Sequence, residues 1–403
     1  MRRAATARFL AGVGVSGFGD WLTTFALAVV LYRATGSYAA TAGYFLVRVG
    51  PRPLGSWLGG PLGDLISPRL ALLGAAITQG ALTAALVVPL SAGHSIWAIY
   101  VLAGLSQLVG GAWQPLTAAL MARVATGPRR HTINLVYILL GGLSMVVSPA
   151  IGALLLPPLG AVPLVLADAC TFVLAAGLFV SLPPVRGGAV RRLTLRGAVL
   201  GGFTAIFRRR ILRVIALGAF ASTVAITALQ TALPALAQQR FGNSADAGIL
   251  YASVGLGSMG GSLLALWPRL RHPTVILPGI ALEIAGIGGT ALAGAPSADL
   301  LILLASTAAA SLAQVEGGVV VQSEPAGTVG RAQGAVSTCR FAGMATGALI
   351  ALLLALSDPN SWQPVVAVLS VAALAILLAS VIGPAGRTAP EVGPLSPLSE
   401  LAD

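Results

Sequence analysis

Among the ionisable residues inside long apolar runs of this chain, five are the candidates for exchangeable charge: Asp20, Arg48, Arg52, Glu316 and Arg340. A sixth, Asp64, stands at the end of one. In a medium without water, a charged side chain at the centre costs about 2.5–3.5 kcal/mol, so each needs a charged partner or a wet cavity. The chemistry open to such residues is reversible ion pairing and proton exchange. Group transfer is not indicated, because no nucleophile–base pair or metal-ligand cluster accompanies them. All 24 basic residues are arginine. A Gly-x-x-x-x-Gly-Lys nucleotide loop therefore cannot be built, and ATP-driven work by this chain alone is excluded. His94, His131 and His272 lie at segment edges, and Cys170 and Cys339 lie in apolar stretches. No metal site, disulfide or cofactor is expected from them.

The elements that must position these charges follow from composition. Of 403 residues, 56% are hydrophobic and 9% charged, against about 25% charged in a soluble chain. The expectation is an all-α integral membrane protein. Runs of about 20 apolar residues cross a bilayer, and twelve are readable, at 8–32, 38–62, 70–91, 96–122, 133–157, 161–182, 212–238, 247–268, 274–294, 299–322, 332–357 and 362–383. The first is too long for a signal-peptide core and no cleavage site follows it, so it counts as a retained span. With the N terminus inside, nineteen of the 24 arginines fall on the cytoplasmic side and only Arg33 and Arg240 outside, as the positive-inside rule requires. Both termini are then cytoplasmic, and the net charge of +12 reports topology, with no nucleic-acid partner. The abundance of Arg, Ala and Gly fits a GC-rich bacterial genome, and the expected location is a bacterial cytoplasmic membrane.

One long internal connection, 183–211, divides the chain into an N-terminal bundle (1–182) and a C-terminal bundle (212–383), followed by a Pro-rich, disordered tail (384–403). Arginines interleave with apolar residues from Arg191 to Arg213. That pattern reads as an amphipathic helix on the anionic inner leaflet. Depth along the spans then suggests pairs. Asp20 lies about 18 Å into the first span and Arg48 about 15 Å from the outer end of the second, with Arg52 one turn further on the same face. Glu316 and Arg340 lie about 9 Å and about 12 Å from the inner ends of their spans, a second candidate pair. An ion pair coupled to protonation or substrate and a fixed brace are both open for each.

These features resemble the major facilitator superfamily: two six-helix halves joined by a basic cytoplasmic connection. The loop after the second span, Gly60-Pro-Leu62-Gly63-Asp64-Leu-Ile-Ser67-Pro68-Arg69, is similar to its Gly-x-Leu-Ala/Gly-Asp-Arg-x-Gly-Arg-Arg/Lys signature, with Leu65, Ser67 and Pro68 departing from it. Ser148-Pro149-Ala-Ile-Gly152-Ala153 resembles the Gly-Pro-x-x-Gly-Gly motif of its antiporters. Gly19-Asp20-Trp21, Asp168-Ala-Cys-Thr-Phe172 and Gly330-Arg331 resemble the drug-efflux subgroup that includes macrolide and siderophore exporters.

The resemblance implies pseudo-symmetric halves around a central cavity lined by the first, fourth, seventh and tenth spans, with the sixth and ninth at the periphery, where Asp168 and Glu283 are expected as hydrogen-bonded structural carboxylates. In those spans stand Trp21, Thr24, Gln107, Trp113, Gln114, Thr227, Gln230, Thr231 and Gln314. Such an amphipathic lining suits an apolar or weakly cationic solute better than a sugar or phosphate. The resemblance also implies a cytoplasmic gate in which Asp64 meets the positive N-terminus of the eleventh helix, with Arg69 and Arg331 nearby and Gly60, Pro149 and Gly152 as hinge and packing positions. Glycines at 255, 257, 260, 261, 343 and 347 would let helices eight and eleven approach their neighbours closely. The expected activity is export of a small amphipathic compound in exchange for protons, by a monomer. An importer or uniporter of a metabolite and a non-transporting receptor are the competing readings.

Overall fold

The computed structural model describes residues 2–56, 66–93, 95–113, 116–117, 120, 129–182, 209–322, 329–357 and 362–382. Its regular elements are helical: α1 (Arg2–Thr35), α2 (Tyr38–Val49), α3 (Pro68–Ala85, continuing past Leu86 as Val87–Ser91), α4 (Ile96–Gly111), α5 (Arg129–Leu159) and α6 (Ala161–Val180). The second set is α7 (Arg210–Phe241), α8 (Ala247–Leu264), α9 (Ile276–Leu292), α10 (Pro296–Gln322), α11 (Val329–Ser357) and α12 (Trp362–Ile382), with three single-turn 3₁₀ helices between them. Ten of these are long and apolar enough to span a bilayer. α2 and α4 are shorter within the described residues. Each helix answers to one of the twelve apolar runs, because backbone polar groups inside lipid are satisfied only by their own helix.

Local chemistry sets the breaks. Ser37 accepts from the Ala39 amide at 3.1 Å and caps α2, and Gly36 takes φ +62 in the turn before it, a conformation open to glycine at little cost. Ser67 caps α3 with Pro68 at its first position, where a missing N–H costs nothing. Gly160, at φ +75, turns the chain between α5 and α6 within a single residue. Successive helices run in opposite directions. One end of the bundle therefore collects the Gly36 turn, the starts of α4 and α8 and the α11–α12 connection, while the other collects the start of α3 and the α8–α9 connection. We call these the Gly36 end and the Pro68 end. Exposed Trp97 and Trp267 stand near the two ends respectively, as interfacial belts require. Large exposed apolar residues such as Leu154, Val173, Leu292 and Val371 form the lipid-facing surface.

Packing divides the helices into α1–α6 and α7–α12, joined by α5 against α8, α2 against α11 and α7, and α1 against α7. The linker stretch 183–208 and the tail lie outside the described residues. Only the end of the predicted amphipathic stretch is described. Arg210 begins α7, and Arg213 is 7% exposed, donating from Nε to the Ser380 carbonyl at 3.1 Å. It ties the start of α7 to the last turn of α12, where free carbonyls attract a cation.

Glycines serve packing within the halves more than contact between them. A Cβ on Gly257 or Gly261 would run into backbone carbonyls of α10, and one on Gly343 or Gly347 into carbonyls of α7. Of the glycines named from sequence in α8 and α11, only Gly255 faces the other half, against Val146 of α5. Gly260 meets nothing within 4 Å. Gly248, not singled out from sequence, packs on Pro149 and Ala153. Gly152 packs on Phe25 and Leu22 of α1, inside its own half.

Candidate functional site

The charges of the first half converge. Arg48 forks onto Asp20, Nη2 to Oδ2 at 2.7 Å and Nη1 to Oδ1 at 3.4 Å. Arg52 approaches the same Oδ2 at 3.7 Å, and its Nε donates to Gln107 Oε1 at 2.8 Å. Gln107 Nε2 donates in turn to Asp20 Oδ1 at 3.0 Å. Both carboxylate oxygens are therefore engaged by donors from two other helices. The α1 backbone is fixed locally, since the Thr24 hydroxyl donates to the Asp20 carbonyl. The Arg48 guanidinium also lies 5.9 Å from the Trp21 ring centre, within cation–π range.

Helix periodicity explains why these residues meet. Arg48 and Arg52 share a face of one helical path at i, i+4, and the opposing face of α1 offers Asp20 and Thr24. The Arg48 side chain is 8% exposed and that of Asp20 26%. A charge pair this dry is stable only while both partners remain.

Behind the pair lies a cavity of about 20 Å³, room for about one water. It is lined by Asp20 and Thr23 of α1, Tyr44 and Arg48 of α2, Thr83 of α3, Ser106 and Gln107 of α4, and Asp168 of α6. Asp168, read from sequence as a peripheral structural carboxylate, thus belongs to the same cluster. Gly19 makes the approach possible: a Cβ there would overlap Asp168 Oδ1 and Thr171 Oγ1. The two sequence motifs, Gly19-Asp20-Trp21 and Asp168–Phe172, therefore pack directly on each other. Tyr44, Thr83 and Asp168 were missed from sequence as members of this site. The available signal for Asp168 was its carboxyl within a span.

Glu316 and Arg340 are not brought together. The electrostatic neighbours of Glu316 are Arg271 and His272, and that of Arg340 is Glu283. Glu283 accepts a hydrogen bond from Ser222 at 2.5 Å, with Arg340 as its electrostatic neighbour, so the electrostatic neighbours in the second half differ from the depth match. Small differences in helix rotation decide this, and depth alone carries no rotation.

The remaining predicted residues have these places. Trp21 meets Tyr251 of α8 edge-on at 6.4 Å, a contact across the halves. Gln230 offers its carbonyl to the Tyr251 hydroxyl at 3.2 Å. Thr227 is 1% exposed and its hydroxyl has no partner among the described residues. Gln314 is exposed. Trp113 packs on Phe172 and Phe179 with centroids at 6.3 and 5.8 Å, in an aromatic core. Arg69 donates to the Phe179 carbonyl at 3.1 Å and to that of Val180, so its guanidinium closes the C-terminal end of α6. Gly60, Asp64 and Gln114, and the Arg331 side chain, lie outside the described residues.

At the Gly36 end the halves are joined by polar contacts. Arg33 donates to Asn243 Oδ1 at 2.7 Å and Ser244 Oγ at 2.9 Å. Tyr38 and Thr231 share a hydrogen bond at 2.7 Å, and the Thr41 hydroxyl donates to the Thr231 carbonyl at 2.8 Å. Tyr38, Thr41 and Thr231 are fully buried.

Twelve helices, ten of them long and apolar enough to cross a bilayer among the described residues, make a polytopic membrane protein with a buried ion cluster. Residues 9–323 match the Major Facilitator Superfamily, and the chain belongs to that family. No curated protein matches it at the sequence level. Among solved structures it is similar to the nucleoside transporter NupG (14% identity, 94% of this chain and 98% of that one, TM-score 0.68). It is also similar to a POT family transporter in complex with a thioalcohol-conjugated peptide (13%, 94% and 95%, TM-score 0.70). A third likeness is a bacterial homolog of the human lysosomal transporter Spinster, in an inward-facing, unoccupied conformation (14%, 94% and 94%, TM-score 0.65). At these identities the likeness is one of fold.

Proposed function

We propose that this protein is a secondary active transporter that exports a small amphipathic compound by alternating access, in exchange for protons, in a bacterial cytoplasmic membrane. The observation that carries the reading is Asp20 held between Arg48 and Arg52 with Gln107 bridging. Changing the charge of one member in so dry a place alters the energy of the whole cluster by several kcal/mol. That is what a coupling site needs in order to bias two states.

The orientation inferred from the arginines, with both termini cytoplasmic, puts the Gly36 end outside. In that orientation the contacts of Arg33, Tyr38 and Thr41 close the outer side. Trp21, Thr24 and Gln230, expected from the family resemblance to line the substrate path, favour an apolar or weakly cationic solute over a densely hydroxylated one.

Purified protein in liposomes with an imposed pH gradient tests this. An amphipathic cationic dye such as ethidium is expected to accumulate on the acidic side, and a protonophore to abolish the effect. Accumulation on the alkaline side instead identifies proton symport and an importer. No flux under any gradient removes the proton-coupled reading. Asp20→Asn is expected to lose gradient-driven flux while retaining slow equilibration of the dye.

A further inference from the structure

The cluster holds two arginines and two aspartates, and the aspartates are not equivalent. Asp20 spends its oxygens on Arg48, Arg52 and Gln107. A proton arriving there must displace a guanidinium. Asp168 is 1% exposed; the Thr171 hydroxyl, which donates to the Asp168 backbone carbonyl at 2.7 Å, also lies 3.2 Å from the carboxyl Oδ1, and no guanidinium is bonded to that carboxyl among the described residues. Asp20 and Arg48 are the charged groups that face it. α3 and α5, also packed against α6, bring Thr83 and no charged described side chain to the cavity.

The cavity between the two carboxyls carries a second observation. Thr23 lines it, is 7% exposed, and its hydroxyl lies beside the Asp168 carboxyl without closing a direct hydrogen bond to it. A buried hydroxyl left unpaired costs about 1–3 kcal/mol, and polar groups at that depth are nearly always satisfied by protein or water. One water fits the space and finds Thr23, Asp20, Asp168 and Gln107 around it.

We propose that Asp168, with a water held between it and Asp20, is the proton-binding site of this transporter. The step balances simply. A hydronium delivers its proton along the water to the Asp168 carboxylate, which becomes a carboxylic acid, and the hydronium leaves as water. With both aspartates ionised the cluster is neutral, and with Asp168 protonated it carries one positive charge. The excess acts on Arg52, whose side chain is 27% exposed, and weakens the Arg52–Gln107–Asp20 link. An alkali cation is disfavoured here, because it would share about one water's volume with the Arg48 guanidinium.

This proposal rests on the proton-exchange reading but is tested apart from it. Infrared difference spectra of the full chain in lipid nanodiscs are recorded from about pH 5 to about pH 9, a range covering shifted carboxyl groups. The wild type is expected to show one titrating carboxylic-acid C=O band that is lost in Asp168→Asn and kept in Asp20→Asn. Equal sets of bands in wild type and Asp168→Asn overturn the proposal, as does loss of the band on adding sodium at fixed pH. Should Asp168→Asn fail to fold, Thr171→Val keeps the carboxyl and removes its hydroxyl donor. The band is then expected to shift in frequency, and an unshifted band overturns the assignment. A band that behaves as expected in a protein showing no gradient-driven flux supports the site and removes the exchange reading instead.

Discussion

Asp20 and Arg48 illustrate how one buried pair constrains substitutions. Removing the carboxylate alone leaves Arg48 charged, dry and unpaired, and truncating one partner of a buried pair costs about 3–5 kcal/mol. Asp20→Asn is therefore expected to lower the thermal midpoint in detergent, and Arg48→Gln added to it should recover part of the loss. If the double variant is no more stable than Asp20→Asn, the two residues do not act as a pair. Gly19 gives a sharper steric case. Gly19→Ala presses a methyl group onto Asp168 and Thr171, and such overpacking costs about 1–3 kcal/mol. Gly177→Ala, with nothing within 4 Å of its added carbon, should be neutral or stabilising in the same melt. Equal behaviour of the two variants would show that the Gly19 contact is not tight.

At the scale of elements, α8 and α10 lie close along a glycine face. Carbonyls of Leu304 and Ala308 stand where Cβ atoms of Gly257 and Gly261 would be. Backbone cannot move aside as a side chain can, so Gly261→Ala must separate the helices. It is expected to lose about 1–3 kcal/mol, while Gly260→Ala, one residue away with open space, loses nothing. Thermal melts of the pair decide it. The sequence showed the glycines but not their partners. Helix–helix contact was legible as small residues in apolar runs, whereas the face each glycine presents depends on helix rotation. Arg69 and Arg213 show the same limit. Their charge marks a helix end, and the carbonyls they satisfy, in α6 and α12, belong to helices distant in sequence.

For the whole molecule, the question is what holds the Gly36 end shut. Arg33 reaches Asn243 and Ser244, and Tyr38 reaches Thr231, so these five side chains couple the halves there. One neutral hydrogen bond is worth about 1 kcal/mol net, which is about a fivefold change in a two-state population. Tyr38→Phe is expected to shift the population about fivefold toward the state open at this end. Spin labels on either side of the Gly36 end, read as a distance distribution, measure that shift. An unchanged distribution in both Tyr38→Phe and Arg33→Ala would place the closing energy in the apolar contacts of Phe25 and Trp21 with Tyr251.

The sequence by itself determined the medium, the helices and the scarcity of charge. Lipid leaves a backbone no hydrogen-bond partner but its own helix, so a run of about 20 apolar residues already states its structure. It also determined that Asp20 and Arg48 could share a depth, because a fixed rise per residue converts position into height. Tertiary structure alone decided which charges meet. Glu316 and Arg340 share a depth as well, yet Arg340 faces Glu283 and Glu316 faces Arg271 and His272. Asp168 joins Asp20 only because Gly19 lets α6 come close. Height follows from counting residues along one helix, while azimuth is set by how twelve helices pack around one another.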